Sequence, residues 1–404
     1  MNYFEKLEIK GWRQFEEVSI DLSSDLTVLT GKNGCGKTTI LNVLGKHFGW
    51  NINFVSTPHY LKKKKGRFWS DVYEIMEQDY NFNQPTANIG SLLYSNGAQS
   101  NLTVPTDQKA INYNISIQNQ QSVNGISIPS HRSVSTYHNI DSIPTNPQSN
   151  QQQFEEFQQL LIRTYGSGNY KNPGLILKKS LISLAVFGYG NQSVAANQEY
   201  IELFEGFQNI LKKLLPEDLG FESIEIRMPD VVLKTKTGDF NIDAMSGGIN
   251  ALFSIGWQIF MYGANRENCT ILMDEPENHL HPSMQRNFLP SIKKAFPSFK
   301  FIISTHSPFI LGSFPDANVY ALAHNNRNKV NSFLLSKKEL SGNSDTILKE
   351  ILGLNNTYPI WVEEKIKSIL EQHFDGNYNK EKAEQAYNAL VETGIIRSIG
   401  DSRI

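Results

Sequence analysis

The spacing of apolar residues at the start of the chain predicts an α/β protein. Apolar and polar residues alternate over positions 7–10 and again over 18–21, which predicts two paired antiparallel strands. Positions 26–30 form a continuous apolar and β-branched run, which is typical of a buried strand. From Thr38 to Phe48 the apolar residues recur at helical spacing. We therefore expect a strand pair, a buried strand and an amphipathic helix in this order.

The middle of the chain changes character twice. Residues 89–153 are rich in Asn, Gln and Ser, although short alternating runs such as Ile111–Ile117 still predict strands. The polar stretch near 145–153 has the composition of a disordered segment. From 154 to about 215 apolar residues return at helical spacing, so helices are expected there.

Strands and helices alternate in the last part of the chain. After residue 220 the pattern predicts strands at 224–226, 231–233, 269–273 and 301–304, and helices at 247–263 and after Pro282. Strands that alternate with helices are typical of a largely parallel sheet covered on its faces. The tail from about Lys337 is predicted to be helical.

Composition excludes several classes of protein. The formal net charge of −2 gives no overall attraction to nucleic acid or membrane. The two cysteines, Cys35 and Cys269, are too few for a disulfide framework and fit a reducing compartment. The start of the chain lacks the apolar core of a signal peptide, and no run is long enough to span a bilayer. We expect a cytoplasmic protein without membrane contact.

The clearest chemical signal is Gly31-Lys32-Asn33-Gly34-Cys35-Gly36-Lys37-Thr38, which fits the phosphate-binding P-loop pattern G-x-x-x-x-G-K-[ST]. Its glycines allow close approach to phosphates, and its N–H groups point toward an anion at a helix start. Lys37 would reach the β- and γ-phosphates, and the Thr38 hydroxyl would ligate Mg²⁺. The alternative is a glycine-rich turn that fits by chance. The preceding strand and following helix favour the P-loop.

A second signal is Asp274-Glu275, directly after the apolar strand 269–273. A carboxylate at such a strand end can hold Mg²⁺, and the adjacent Glu275 can orient and deprotonate a water molecule. The alternative is a solvated acidic pair that opens a loop. That alternative loses weight because a P-loop is present.

Two shorter segments complete the set. Ser246, Gly247 and Gly248 open the predicted helix 247–263, where a hydroxyl and main-chain N–H groups can bind a phosphate. Their simpler role is an ordinary helix cap. His306 follows the strand 301–304, and its imidazole can contact a γ-phosphate. A histidine at a strand end is otherwise more often structural.

In the order GKNGCGKTT, MSGG, CTILMDEPENHLHP and FIISTHSP, these segments resemble ABC-type ATPase heads. Within them the chain is most similar to the RecF/SMC-like group and the OLD-type AAA ATPases of bacteria. The resemblance implies an α/β ABC-type P-loop ATPase head with a mixed, largely parallel sheet, an inserted α+β region and a helical C-terminal tail. The expected boundaries are 1–50 and 221–335 for the discontinuous core, 51–220 for the insertion and 336–404 for the tail.

The resemblance also implies roles for individual residues. Lys37 and Thr38 match Walker A, and Asp274 and Glu275 match the Walker B metal ligand and the catalytic glutamate. Ser246-Gly247-Gly248 match the ABC signature, Glu277 to His281 the D-loop, and His306 the switch histidine. The expected nucleotide-binding residues are Asn33, Gly34, Cys35, Gly36, Lys37, Thr38 and Thr39. The implied cofactors are ATP and Mg²⁺, and the implied activity is hydrolysis of ATP to ADP and phosphate.

The resemblance further implies partners. In such proteins two heads enclose two ATP molecules, and each signature serine faces the nucleotide of the other head. We therefore expect a homodimer or a higher even oligomer. Ile249 stands where transporter signatures often carry Gln, which weakens a transporter assignment. The Q-loop glutamine has no identifiable position.

Missing features narrow the biological role. The chain has no sustained heptad pattern for a long coiled coil, and no Asp-x-Asp of a Toprim nuclease follows His306. An effector, expected to be a nuclease, would then be a separate chain, as in the Septu, PARIS and retron-associated anti-phage systems. One alternative is a RecF-like repair ATPase that binds duplex DNA through the basic run Lys62–Arg67. Another is an assembly scaffold locked by ATP, with negligible turnover.

Overall fold

The computed structural model describes residues 2–59, 67–69, 72, 85–106, 111–132, 136–146, 148–167, 172–373 and 380–394. The chain divides into two compact units, Met1–Ile347 and Leu348–Ile404. Most of the basic run on which the DNA-binding alternative depends, Lys62 to Gly66, lies outside the described residues. Arg67 begins a short described strand.

The strands of the described chain are numbered here in chain order. They are β1 Phe4–Trp12, β2 Phe15–Asp21, β3 Leu26–Gly31, β4 Phe54–Val55, β5 Thr57–His59, β6 Arg67–Trp69, β7 Thr86–Tyr94, β8 Gln99–Pro105, β9 Asn112–Tyr113, β10 Ser116–Gln118, β11 Gly125–Ile128, β12 Phe221–Arg227, β13 Asp230–Thr235, β14 Phe240–Asn241, β15 Thr270–Asp274, β16 Lys300–Ser304, β17 Asn318–His324 and β18 Val330–Leu334.

The helices are numbered in the same way. They are α1 Lys37–Gly45, α2 Asn150–Ser167, α3 Gly174–Tyr189, α4 Gln198–Leu214, α5 Gly247–Gly263, α6 Pro282–Ala295, α7 Pro308–Leu311, α8 Lys337–Leu340, α9 Ser344–Thr346, α10 Ile360–His373 and α11 Lys380–Glu392. Short 3₁₀ turns occur at Lys46–Phe48, Glu217–Leu219 and Ile242–Ala244, and a π-helical turn at Ile347–Ile351.

One eleven-stranded sheet forms the centre of the first unit. Its order is β10-β8-β7-β1-β2-β18-β17-β3-β16-β15-β11. The five strands from β17 to β11 are mutually parallel, and the pairs from β10 to β2 are antiparallel. The fold class is therefore α/β with a mixed sheet, as predicted, and its parallel half carries the strand before the P-loop.

The sheet places several functional segments at one edge. β3 lies between β17 and β16, and β15 lies between β16 and β11. The carboxyl ends of these parallel strands meet at the same edge, so the segments that follow them converge. The P-loop follows β3, Asp274-Glu275 ends β15, and His306 follows β16. The fold thus brings together residues that lie far apart in the sequence.

The predicted elements agree with these bounds in most places. β1 and β2 form the expected antiparallel pair, with Leu7 opposite Ile20. The predicted helix at 247–263 is α5. The prediction of disorder near 145–153 was wrong for Asn150–Gln153, which form the first turn of α2. This helix is ordered because it packs Phe154 and Phe157 into the interior. β12, β13 and β14 form a separate antiparallel sheet.

Helices α2 and α4 pack against α5 through aromatic side chains. The rings of Phe157 and Trp257 have centroids 5.0 Å apart, and those of Phe207 and Phe253 are 5.2 Å apart in an edge-to-face pair. The fully buried Lys178 donates to Asp230 at 2.8 Å and to Asp243 at 2.7 Å. This buried ion pair joins α3 to the hairpin β12–β13 and to the turn that leads into α5.

Two further expectations concern the cysteines and membranes. Cys35 and Cys269 are both free and buried. In the part of the chain that the structure describes, no helix has the length and apolarity needed to cross a bilayer.

Division of the chain at residues 50, 220 and 335 stays a prediction. Strands β7, β8, β10 and β11 of the 51–220 segment join the main sheet.

Candidate nucleotide site

The P-loop lies between the buried strand β3 and the start of α1. Gly31 and Gly36 have φ values of 139° and 98°, which L side chains rarely adopt. A Cβ atom at Gly36 would lie 2.3 Å from the Phe15 ring, and one at Gly31 would lie 2.2 Å from the Leu322 carbonyl oxygen. Only glycine fits at these two positions. Asn33 and Gly34 are exposed at the rim of the loop, where they are accessible to a ligand.

The Lys37 side chain folds back under this loop. The residue is 5% exposed. Its Nζ donates to the carbonyl oxygens of Gly31 at 2.9 Å and Lys32 at 3.2 Å, and it lies 3.8 Å from the Cys35 Sγ. Burial lowers the pKa of Lys37 from its ordinary value, and the nearby acidic groups oppose this shift. The ammonium group is held by neutral acceptors that phosphate oxygens can replace.

Thr38 and Asp274 are in direct contact at the edge of the sheet. The Thr38 hydroxyl lies 2.9 Å from Oδ2 and 3.2 Å from Oδ1 of Asp274. The Ser304 hydroxyl also donates to Asp274 Oδ1. Asp274 is 6% exposed, and burial raises the pKa of its carboxyl group against the opposing effect of these two hydrogen bonds.

This oxygen-rich arrangement fits Mg²⁺, which binds one or two carboxylates together with substrate phosphates and water. Among the described residues no group of three or more His, Cys, Asp or Glu side chains forms a self-sufficient metal site. The Thr38 hydroxyl and the Asp274 carboxylate are oxygen groups of the kind that Mg²⁺ binds together with substrate phosphates.

Glu275 and His306 form the second half of the cluster. His306 Nε2 lies 3.2 Å from Glu275 Oε1, and both side chains are about one-third exposed. Asn278 Nδ2 donates to the other Glu275 oxygen at 3.2 Å. Burial, and then the charge of Lys37, lower the pKa of His306, so its neutral form is favoured. The Glu275 carboxylate is thus oriented by two neighbouring polar groups.

The backbone after Asp274 is tightly constrained. Glu275 and His279 have φ values of 45° and 73°, a left-handed conformation that is uncommon for such residues. The half-buried Glu277 accepts hydrogen bonds at 2.7 Å from the Thr305 hydroxyl and from the His306 N–H. The segment after β15 is thereby tied to the segment after β16.

Sequence analysis did not identify Arg132. It follows β11, and its guanidinium donates to three carbonyl oxygens of the segment after β15: Glu275 at 3.2 Å, Pro276 at 3.4 Å and Asn278 at 3.3 Å. The available signal was the polar sequence Pro129-Ser130-His131-Arg132 directly after the short apolar strand Gly125–Ile128. That strand is recognisable only from its distant pairing with β15.

Ser246 lies apart from the hydrogen bonds just described. It is the N-cap residue of α5, it is exposed, and its side chain makes no capping hydrogen bond. A Cβ atom at Gly248 would lie 3.0 Å from the His279 carbonyl oxygen and 3.2 Å from the Met284 Sδ. Gly248 therefore allows the start of α5 to pack against the segment after β15. The structure brings Lys37, Thr38, Asp274, Glu275 and His306 together and leaves the Ser246 hydroxyl at the surface.

The sequence profile of a family described as an AAA ATPase domain matches residues 3–90 and 53–311. These matches span most of the first unit and include the whole cluster. The chain belongs to the AAA ATPase domain family. Its match to the family agrees with the predicted resemblance to bacterial AAA ATPases.

This AAA ATPase is similar in sequence to a Septu protein and to a retron ATPase. It is 22% identical over 423 residues to the Septu protein PtuA of Bacillus thuringiensis, covering 96% of this chain and 93% of that protein. It is 25% identical over 187 residues to the retron Ec83 probable ATPase of Escherichia coli, covering 44% of this chain and 32% of that one. The alignment thus spans about a third of the retron protein. The resemblance to Septu and retron ATPases is confirmed.

Among solved structures, this AAA ATPase is similar to the Smc head domain of Pyrococcus furiosus, solved with an extended coiled coil and bound to the C-terminal domain of ScpA. The TM-score is 0.47 at 15% identity, covering 84% of this chain and 97% of that one.

Proposed function

We propose that this AAA ATPase hydrolyses ATP in composite sites formed by two copies of the chain, and that this hydrolysis regulates a separate effector. The observation that supports hydrolysis most directly is the contact between Glu275 and His306, beside Lys37 and the Thr38–Asp274 pair. Phosphoryl transfer depends on positioned donors and a positioned water; Lys37 and Thr38 provide donors, and the Glu275 carboxylate can orient the water.

Each residue has a separate part in this proposal. The Lys37 ammonium exchanges its loop carbonyls for β- and γ-phosphate oxygens, and the P-loop N–H groups bind the same phosphates. Thr38 and Asp274 would hold Mg²⁺, which would neutralise charge on the β- and γ-phosphates. Thr39, at the third position of α1, and Cys35, buried in the loop, complete the nucleotide contacts that we expect.

Glu275 directs the chemical step. Its carboxylate orients a water molecule and accepts a proton from it as the water oxygen bonds to the γ-phosphorus. The bond between that phosphorus and the bridging oxygen breaks, which yields ADP and phosphate. A neutral His306 can donate one hydrogen bond, either to Glu275 or to a γ-phosphate oxygen.

The second copy supplies the signature segment. The exposed Ser246 hydroxyl and the N–H groups of Gly247 and Gly248 lie at the start of the 17-residue helix α5. Free donors at a helix start are suited to an anion, and the Ser246 side chain is not occupied by capping. We infer that these donors bind the γ-phosphate held by the partner copy.

A mixture of two inactive variants tests this composite site. Lys37→Ala removes the phosphate cation from one copy, and Ser246→Arg blocks the signature segment of the other. Neither variant should dimerise with itself on ATP, whereas a mixed dimer keeps one of its two sites intact. In an equimolar mixture turnover should therefore recover, to at most about half of the wild-type rate. No recovery in a mixture that still dimerises would contradict a site shared between copies.

We further infer that the ATPase acts in bacterial anti-phage defence, in the cytoplasm, with a nuclease as its effector. The support is the near full-length similarity to a Septu protein and the similarity to a retron ATPase. Plaque counts on cells that carry the native gene neighbourhood test this role. Protection should disappear with Lys37→Ala, and a nuclease should co-purify with the wild-type chain. Equal protection by wild type and Lys37→Ala would contradict it.

A further inference from the structure

We propose that Arg132 is a positioning residue that fixes the main chain around Glu275 and so sets the direction of its carboxylate. This inference rests on the proposed role of Glu275 in hydrolysis. Arg132 has no contact with the reacting atoms in this account and acts only through the segment Glu275–His279.

The hydrogen bonds of Arg132 carry the inference. Its two terminal nitrogens donate to the carbonyl oxygens of Glu275, Pro276 and Asn278 at 3.2–3.4 Å. These three oxygens belong to one turn, and each is a main-chain atom. One planar guanidinium therefore links three of four consecutive peptide groups, and the link reaches across 143 positions of sequence at Glu275.

The turn needs such support because its backbone is unusual. Left-handed conformations at Glu275 and His279 are unfavourable for residues that carry a Cβ atom and persist only when surrounding contacts determine them. Asn278 adds a hydrogen bond to the Glu275 carboxylate and another, at 3.3 Å, to the Ser130 carbonyl oxygen. The segment Ser130–Arg132 thus holds both the main chain and, through Asn278, the side chain of the glutamate site.

The charge and the planar shape of the guanidinium make the arrangement specific to arginine. Desolvation lowers the pKa of Arg132 to about 10, so the group stays charged at neutral pH. Its Nε is buried without a hydrogen-bond partner among the described residues. Among the described residues, the hydrogen bonds of Arg132 therefore all come from its two terminal nitrogens, and all go to the turn. A lysine preserves the charge but lacks the planar fork that reaches three carbonyls.

A comparison of two arginine variants in two backgrounds tests the inference. Arg132→Lys and Arg132→Ala are made in the wild type and in Glu275→Gln, and kcat, KM and ATP affinity are measured. Arg266→Lys serves as the matched control, because Arg266 donates to the Tyr262 carbonyl oxygen and to Gln151, at the end of α5. Thermal melting identifies any variant that fails to fold. If Arg132→Ala fails to fold, Arg132→Lys still tests the inference.

We expect Arg132→Lys to lower kcat roughly 100-fold, with KM and ATP affinity changed by about twofold or less, because a small displacement of a catalytic group is costly. In the Glu275→Gln background the same substitution should change single-turnover hydrolysis by about twofold or less, because both changes affect one function. Arg266→Lys should leave kcat at the wild-type value.

Three results would overturn the inference: an unchanged kcat in Arg132→Lys, an equal loss of rate in the Glu275→Gln background, or a loss of kcat that only follows a loss of ATP binding. Failure of the proposed function is recognised separately, because Glu275→Gln alone would then hydrolyse ATP at the wild-type rate.

Discussion

His306 Nε2 lies 3.2 Å from Glu275 Oε1, although the two residues follow different strands. The reason is the parallel register of β15 and β16, in which Asp274 pairs with Ser304. Residues just beyond that pair must emerge together at the carboxyl edge of the sheet. The contact joins the expected base to the expected switch histidine.

This contact predicts a specific pH dependence. Burial and the Lys37 charge lower the pKa of His306, so it stays neutral at neutral pH and becomes protonated only in acid. A protonated His306 pairs with Glu275 and weakens it as a base. We expect kcat to fall in acid, at a pH below the ordinary histidine pKa of about 6.5.

Replacement of His306 by Gln removes the titrating group but keeps a hydrogen-bond donor. We expect this variant to have a kcat roughly 10- to 100-fold lower at pH 7.5, with a weaker acid limb. Measurement of kcat from pH 5 to 8 in both proteins checks this. The same acid limb in His306→Gln would assign it to another group.

Loss of Lys37 should weaken nucleotide binding itself. Its ammonium is buried on neutral carbonyls, so phosphates gain a charge-assisted donor that Lys37→Ala removes. We expect ATP affinity to fall by about 100-fold or more, since such bonds contribute about 1.5–3 kcal/mol each. Titration with a fluorescent ATP analogue measures this.

Lys46 offers a matched control for that titration. It lies just after α1, and its Nζ is 3.5 Å from Asn114 Oδ1. Lys46→Ala removes the same charge from the same part of the chain and should leave ATP affinity unchanged. Wild-type affinity in Lys37→Ala would refute the P-loop assignment.

Much of the site was predictable because its motifs coincide with strong local patterns. The strands before Gly31, Asp274 and His306 are apolar runs, and the helices after Thr38 and Ser246 have apolar spacing. Arg132 was not predictable in this way. Its partners lie 143 to 146 positions away, and its strand β11 has only four residues. Such contacts depend on tertiary structure that the local sequence does not encode.

The same limit applies to the antiparallel half of the sheet. Composition predicts that the segment containing β7 and β8 belongs to a polar insertion. In the structure, however, Ile89, Leu92 and Leu102 are buried in the main core. Their apolar residues are spread among Asn, Gln and Ser, so alternation indicates strands but not the sheet that they join. Pairing of β7 with β1 supplies that information.

His47 should make stability depend on pH. It is largely buried near Phe4, with Nδ1 at 3.1 Å from the Leu44 carbonyl oxygen and Nε2 at 2.8 Å from the Tyr94 hydroxyl. Burial lowers the pKa of His47 to about 4. Between that value and about 6.5 the unfolded chain binds more protons, so the free energy of unfolding rises with pH.

This stabilisation is fully present above pH 6.5 and is lost as the pH falls toward 4. Its size is on the order of 3 kcal/mol, from the difference between the two pKa values. Urea unfolding at several pH values measures it, with His47→Gln as the control that does not titrate. We expect the difference between the two proteins to change across this window. A constant difference would exclude His47 as the source.

The central claim is that ATP joins two copies of the chain through Lys37 of one and Ser246 of the other. The most direct measurement is the mass in solution of Glu275→Gln, which should bind ATP and hydrolyse it only very slowly, with and without Mg²⁺ and ATP. We predict that ATP doubles the 45.8 kDa mass of the single chain. Addition of Ser246→Arg should abolish the doubling and leave ATP binding intact. A Glu275→Gln chain that binds ATP and keeps its single-chain mass would contradict the account.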